Sequence, residues 1–147
     1  MRRQLQDNVN ACRGMVTIAR DSTNHSDMRE HTVLEAWRRA RELVIQVHYF
    51  TNRIWQPQLA HFINQLRRSS LSVQLNVAEG YALGTRKLFA RHLSVAYGSA
   101  IETVDLLDLL LELSPDGKQE LGALKERARR NCALVLALKH GVTRTQE

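Results

Sequence analysis

Apolar residues recur three or four positions apart along most of this chain, the interval at which an α-helix returns side chains to one face. The first such face starts at Val33 and runs through Leu34, Trp37, Ala40, Val44, Val47 and Thr51. The stretch NRIWQPQ interrupts it, because Pro57 lacks an amide hydrogen and steers the residue before it out of helical geometry. A second helix is predicted over about residues 58–79, with Leu59, Phe62, Leu66, Ser70, Val73 and Val77 toward the core and Gly80 and Gly84 punctuating its end. Thr85 is suited to N-cap a third helix, whose buried set is Phe89, Leu93, Ala96, Ala100, Val104, Leu107 and Leu111. The turn SPDGK ends it. Ser114 is expected to cap, and Pro115 to open, a fourth helix with Leu121, Leu124, Ala128, Cys132, Val135 and Leu138 inward, stopped by Gly141. Connections this short predict an all-α, antiparallel, up-down-up-down four-helix bundle over residues 31–141. Residues 1–30 lack a sustained helical face and are expected to be a poorly ordered appendage, with Met28 a candidate start; residues 142–147 read as a tail.

The second helix has more than one marked face. At about 100° per residue, Gln65, Ser69, Ser72, Asn76 and Glu79 form a continuous polar stripe beside the core face. On the far side lie Leu71, Leu75 and Ala78, flanked by Arg67 and Arg68. Two leucines aligned in adjacent turns predict a subunit contact, since burying each stabilises by roughly 1.5–3 kcal/mol; the alternative is that a long first helix or the N-terminal appendage covers them within the chain. The bundle is therefore expected to assemble as a homo-oligomer. Gly98 and Ser99 make a small-residue spot on the third helix where another backbone can approach.

Composition narrows the picture. A chain of 147 residues, 44% hydrophobic, suits one domain with a real core, and 5% aromatic residues with two prolines argue against β architectures. The formal charge of +6 favours anionic partners such as nucleic acid. Cys12 and Cys132, far apart, give no disulfide framework or zinc ribbon, and reduced thiols with no apolar run of about 20 residues point to a cytoplasmic protein without a membrane partner.

Charge is unevenly spread. Arg86, Lys87, Arg91 and His92 crowd the start of the third helix and Glu102, Asp105, Asp108 and Glu112 its end, against the preference of the helix dipole. Lys118, Lys125, Arg127, Arg129 and Arg130 of the fourth helix are candidates to pair with some of that acid. Arg38, Arg39, Arg41, Arg67, Arg68, Arg86, Lys87 and Arg91 then remain as surplus.

Catalytic and metal chemistry find no footing. A di-iron bundle needs Glu-x-x-His pairs, and none occurs; His48, His61 and His92 lie on different elements without ligand spacing. Gly84-Thr85-Arg86-Lys87 lacks the order of a phosphate-cradling loop, and the serines near Arg67 have no oriented base. No cofactor, no metal and no enzymatic activity are expected. Glu79 and Asn76 are expected to pair structurally, with Arg91 or with an arginine of a neighbouring subunit.

QLRRSSLSVQLNVAEG is similar to the signature Q-L-R-R-A-A-x-S-I-P-x-N-I-A-E-G, FARHLSVAYGSAIE to F-x-R-F-L-x-I-A-x-G-S-x-x-E, and LEAWRRARELV to L-x-V-W-x-x-A-x-x-L. These motifs resemble the small four-helix-bundle proteins encoded within intervening sequences of bacterial 23S rRNA genes, over roughly Leu34 to Glu102. Gln74 stands where the family has proline, Leu83 where it has a basic residue and Leu88 where it has an acidic one. The resemblance implies a homo-oligomeric ring, a pentamer, without known enzymatic activity. Through kinship with the accessory variability determinant of diversity-generating retroelements, it further implies binding to nucleic acid and to a reverse transcriptase. The function expected is a basic, non-enzymatic module that holds RNA or DNA by its phosphates through Arg38, Arg39, Arg67, Arg68, Arg86, Lys87 and Arg91. A protein-interaction scaffold and a structural ring are the alternatives.

Overall fold

The computed structural model describes His31 and residues 34–144; the appendage expected over residues 1–30, with Met28, lies outside them. Four helices pack against one another: α1 (Glu35–Arg53), α2 (Ala60–Ala82), α3 (Arg86–Leu113) and α4 (Lys118–Arg144). No strand occurs among the described residues. No helix there is long and apolar enough to cross a membrane.

The breaks follow from local chemistry. The first helical run ends at Arg53 with Ile54 as its C-cap; Gln56 is held extended by the proline after it, and Pro57 opens a single 3-10 turn, Pro57–Leu59, that feeds α2. Thr85 caps α3 by accepting a hydrogen bond from the Leu88 amide at 3.3 Å. Three boundaries depart from expectation. α2 continues through Gly80 to Ala82, and it is Gly84, with φ of 73°, that turns the chain. Ser114 does not cap α4: it is extended and buried, and its hydroxyl bonds the carbonyl and amide of Asp116 within the loop. α4 starts three residues after Pro115, beyond Gly117 at φ of 72°, and runs past Gly141 to Arg144 with Val142 buried.

Two apolar clusters make the core. One joins Leu34, the residue before α1, and Ala40 of α1 with Val73 and Val77 of α2, Phe89 and Leu93 of α3, and Val135 and Leu138 of α4. The other joins Leu43, Val47 and Phe50 with Ile63 and Leu66, Leu107 and Leu110, and Leu121 and Leu124. Between them lie buried polar side chains of α2, α3 and α4: Ser69 and Ser70, Thr103, and Asn131. Asn131 donates its amide to the Ala36 carbonyl at 2.9 Å, tying α4 to α1. The α4 stripe is buried as expected, but α1 turns Leu43 and Phe50 inward rather than Val44, and α2 turns Ile63 rather than Phe62. On α3 the buried line leaves the expected one after Ala100, passing through Thr103 and Leu110 where Val104 and Leu111 were expected. Burial pushes the Cys132 thiol above its ordinary value, which keeps it protonated and unreactive.

Candidate functional site

The polar stripe of α2 is the seam with α3. Gln65 donates to Glu102 at 2.7 Å, Ser69 and Thr103 share a hydroxyl bond at 2.9 Å, and so do Ser72 and Ser99. Asn76 holds the Ser72 carbonyl with its amide nitrogen and faces His92 Nδ1 at 3.1 Å with its oxygen. Glu79 lies 3.9 Å from the same His92 nitrogen. The partner of Asn76 and Glu79 is thus His92, not Arg91, because Arg91 lies about 100° round α3 and is exposed. Gly80 explains the closeness: a Cβ there would come 2.6 Å from His92 Cβ and 3.0 Å from Phe89 Cδ2. Gly98, expected to admit another backbone, has open space around it within this chain, while Ser99 is engaged with α2.

Among the described residues nothing covers the other side of α2. Leu71 and Leu75 are 41% and 52% exposed, and with Arg67, Arg68, Ser72, Asn76 and Glu79 they line an open groove of about 500 Å³. Ala78 is half-buried beside it. Leu83 and Leu88 add apolar surface at the turn from α2 to α3, where the family pattern carries charge.

The seven cations proposed from sequence divide into two groups. Arg38 and Arg39 both hold Glu35, at 2.9 and 2.8 Å, and Arg39 also reaches Glu42 at 3.0 Å. The hydrogen bond to Glu42, opposed by partial burial and helped by the fields of Glu35 and Glu42, keeps the Arg39 guanidinium above its ordinary value. Arg67 bonds the Thr51 hydroxyl at 2.8 Å and the Asn52 amide oxygen at 2.6 Å, bracing the C-terminal turn of α1. Arg86 also has a partner. By contrast Arg68, Lys87 and Arg91 are exposed and have no carboxylate partner among the described residues.

Of the five α4 candidates to meet the acid of α3, one does so among the described residues. Lys125 does pair with Asp108 of α3, and Lys118 bonds the Leu111 carbonyl, but Arg129 pairs within its own helix with Glu126. Arg127 lies two residues past Lys125, about 200° round the helix, so it cannot share that task. With Arg130 it faces α1 instead. Arg39, Glu42, Leu43 and Gln46 meet Arg127, Arg130, Asn131 and Leu134 around a concavity of about 290 Å³. Both helices use the spacing i, i+3, i+4, i+7, a match visible in the sequence once the two helices are known to be neighbours. A second hollow of about 310 Å³ adjoins it, sharing Gln46 and Arg127 and adding Ile45, Tyr49, Arg53 and Glu120. Arg53 and Glu120 pair with each other there. The Gln46 side-chain oxygen is buried without a hydrogen-bond partner, an arrangement that costs about 1–3 kcal/mol. Among the described residues no three His, Cys, Asp or Glu side chains gather as a metal ion would require.

Compared with known proteins, residues 32–136 match the profile of the family described as 23S rRNA-intervening sequence protein. No curated protein matches the chain.

Proposed function

The chain belongs to the 23S rRNA-intervening sequence protein family, and from that premise we propose that it is a non-enzymatic, basic module that binds RNA or DNA through the phosphate backbone. The observation that carries this reading is the charge left over after internal pairing. Residues 34–144 hold sixteen lysines and arginines against ten carboxylates. Arg41, Arg68, Lys87, Arg91, Arg127 and Arg130 are exposed and have no carboxylate partner among the described residues. Guanidinium and ammonium groups without internal partners are what a polyanion neutralises, with release of its counterions.

The proposed assembly is a homo-oligomeric ring of up-down-up-down bundles. The alternating course is supported by the α2–α3 pairs, in which rising numbers on one helix meet falling numbers on the other: Ser69 with Thr103, Ser72 with Ser99, Asn76 with His92. Self-association is supported by the uncovered Leu71 and Leu75. A pentamer of such bundles would carry on the order of +30, enough to concentrate anions around it.

Titration of mixed-sequence RNA and duplex DNA against the intact protein tests the reading. Affinity is expected to fall steeply with salt, with a slope of log affinity on log salt near −0.9 per contact on duplex, and to depend little on sequence. Absence of binding near 50 mM salt, where charges in contact are scarcely screened, would defeat it. The apolar groove on α2 would then favour a protein-interaction scaffold.

A further inference from the structure

We propose that the groove between α1 and α4 grips a single strand of nucleic acid, with Arg127 and Arg130 holding its phosphates and Tyr49 stacking on a base. The inference rests on the nucleic-acid reading above and assigns it a place and a strand type. The two hollows along this groove share Gln46 and Arg127, so they form one continuous track. Six charged side chains line it: Arg39, Arg53, Arg127 and Arg130 against Glu42 and Glu120. Arg39 is engaged with Glu42 and Arg53 with Glu120, so the net positive charge falls on Arg127 and Arg130. Phosphates attracted to these two would lie along the groove.

Phosphate contacts alone would suit duplex and single strand alike. Tyr49 makes the difference. Its side chain is 65% exposed on the same track as Arg127, and its ring meets His48 edge-on, with centroids 5.7 Å apart, so it is braced without being covered. A free aromatic face beside a cationic groove stacks on any unpaired base, whereas bases within a duplex are already stacked and out of reach. Ile45, also exposed, extends that apolar platform. Gln46 lies between the phosphate end and the stacking end, and its oxygen without a partner gains one if the side chain turns outward to a ribose hydroxyl or a base amine.

The test uses the full chain, a 5′-labelled oligouridylate of about 20 nucleotides, longer than a typical single-strand site, and an RNA duplex of equal length, followed by fluorescence anisotropy at low salt. Arg127→Gln with Arg130→Gln is expected to weaken single-strand binding at least tenfold and to flatten its salt slope by about 1.4, at roughly 0.7 per contact on a single strand. Tyr49→Ala is expected to weaken single-strand binding about tenfold, within the range for one stacked base, and to leave duplex binding unchanged. Tyr49→Phe should bind as wild type. With 5-iodouridine in the strand, photo-cross-linking should attach to the peptide bearing Tyr49. If wild type binds and both groove variants bind equally well, the groove is not the site, although the nucleic-acid reading survives. If wild type binds neither probe, both readings fail together. Equal loss of duplex and single-strand binding in Tyr49→Ala overturns the stacking role. A changed sedimentation coefficient in either variant assigns the groove to a subunit contact and overturns the proposal.

Discussion

At Gly80 the bundle depends on the absence of a side chain. A methyl group there would sit 2.6 Å from His92 Cβ, closer than carbon atoms approach, and His92 is held by Asn76 from the same helix. Two effects of Gly80→Ala oppose each other. Alanine is the better helix former, by up to about 1 kcal/mol, while forcing α2 and α3 apart costs about 1–3 kcal/mol by the measure of overpacked cores. Because the contact is with a Cβ on a rigid helix, which cannot swing aside, the steric term is expected to win. Urea melts should show a lower midpoint at unchanged slope; a stabilised variant would mean that the helices separate freely. Gly117 is similarly placed, since its φ of 72° and the Phe50 ring 2.7 Å from any Cβ both exclude a larger residue.

Among the elements, the two halves of the core are separated by Ser69, Ser70, Thr103 and Asn131, and this layer sets how far one helix can slide along another. A shift by one turn would break the hydroxyl bond between Ser69 and Thr103 and part the Asn131 amide from the Ala36 carbonyl, leaving that amide buried without its partner. Thr103 has one hydroxyl proton and two neighbours, the Ser99 carbonyl at 2.8 Å and Ser69 Oγ at 2.9 Å, so it donates to one and accepts from the other only if Ser69 donates back. Thr103→Ala is expected to cost about 1–2 kcal/mol, and a double-mutant cycle with Ser69→Ala should show coupling above about 0.5 kcal/mol. Additive losses would mean that the two hydroxyls act separately. Much of this layout is legible in the sequence. All six residues of the α4 stripe are buried, since charged neighbours leave its apolar positions unambiguous. α3 is read correctly as far as Ala100, but LLDLLLEL offers a leucine at nearly every position, and spacing alone could not show that Thr103 rather than Val104 faces inward. The polar stripe of α2 was visible as a line; its partner was not, because His92 and Glu102 become neighbours only when α2 and α3 pack. Arg127 and Arg130 were missed for the same reason, as the groove they line belongs to two helices some 90 residues apart.

For the whole molecule, the proposed oligomer and the bundle can be tested apart. Leu71→Glu with Leu75→Glu places charge on a face that is already half exposed within the chain, so helicity by circular dichroism should persist. In an apolar subunit contact the same carboxylates would be desolvated without partners, and sedimentation velocity should show dissociation. An unchanged oligomer would remove this face from the contact. The closing of the bundle has a further consequence, for its synthesis on the ribosome. The Asn131 amide that reaches the Ala36 carbonyl belongs to a residue 95 positions later in the chain. At about 5–20 residues per second, α1 waits some 5–20 s for α4 to emerge, and over that interval Leu43, Val47 and Phe50 lack the side of the core that Leu121 and Leu124 supply. The earliest made of the four helices is among the last to be enclosed, so the nascent chain, more than the finished protein, is the species that a holding chaperone would meet.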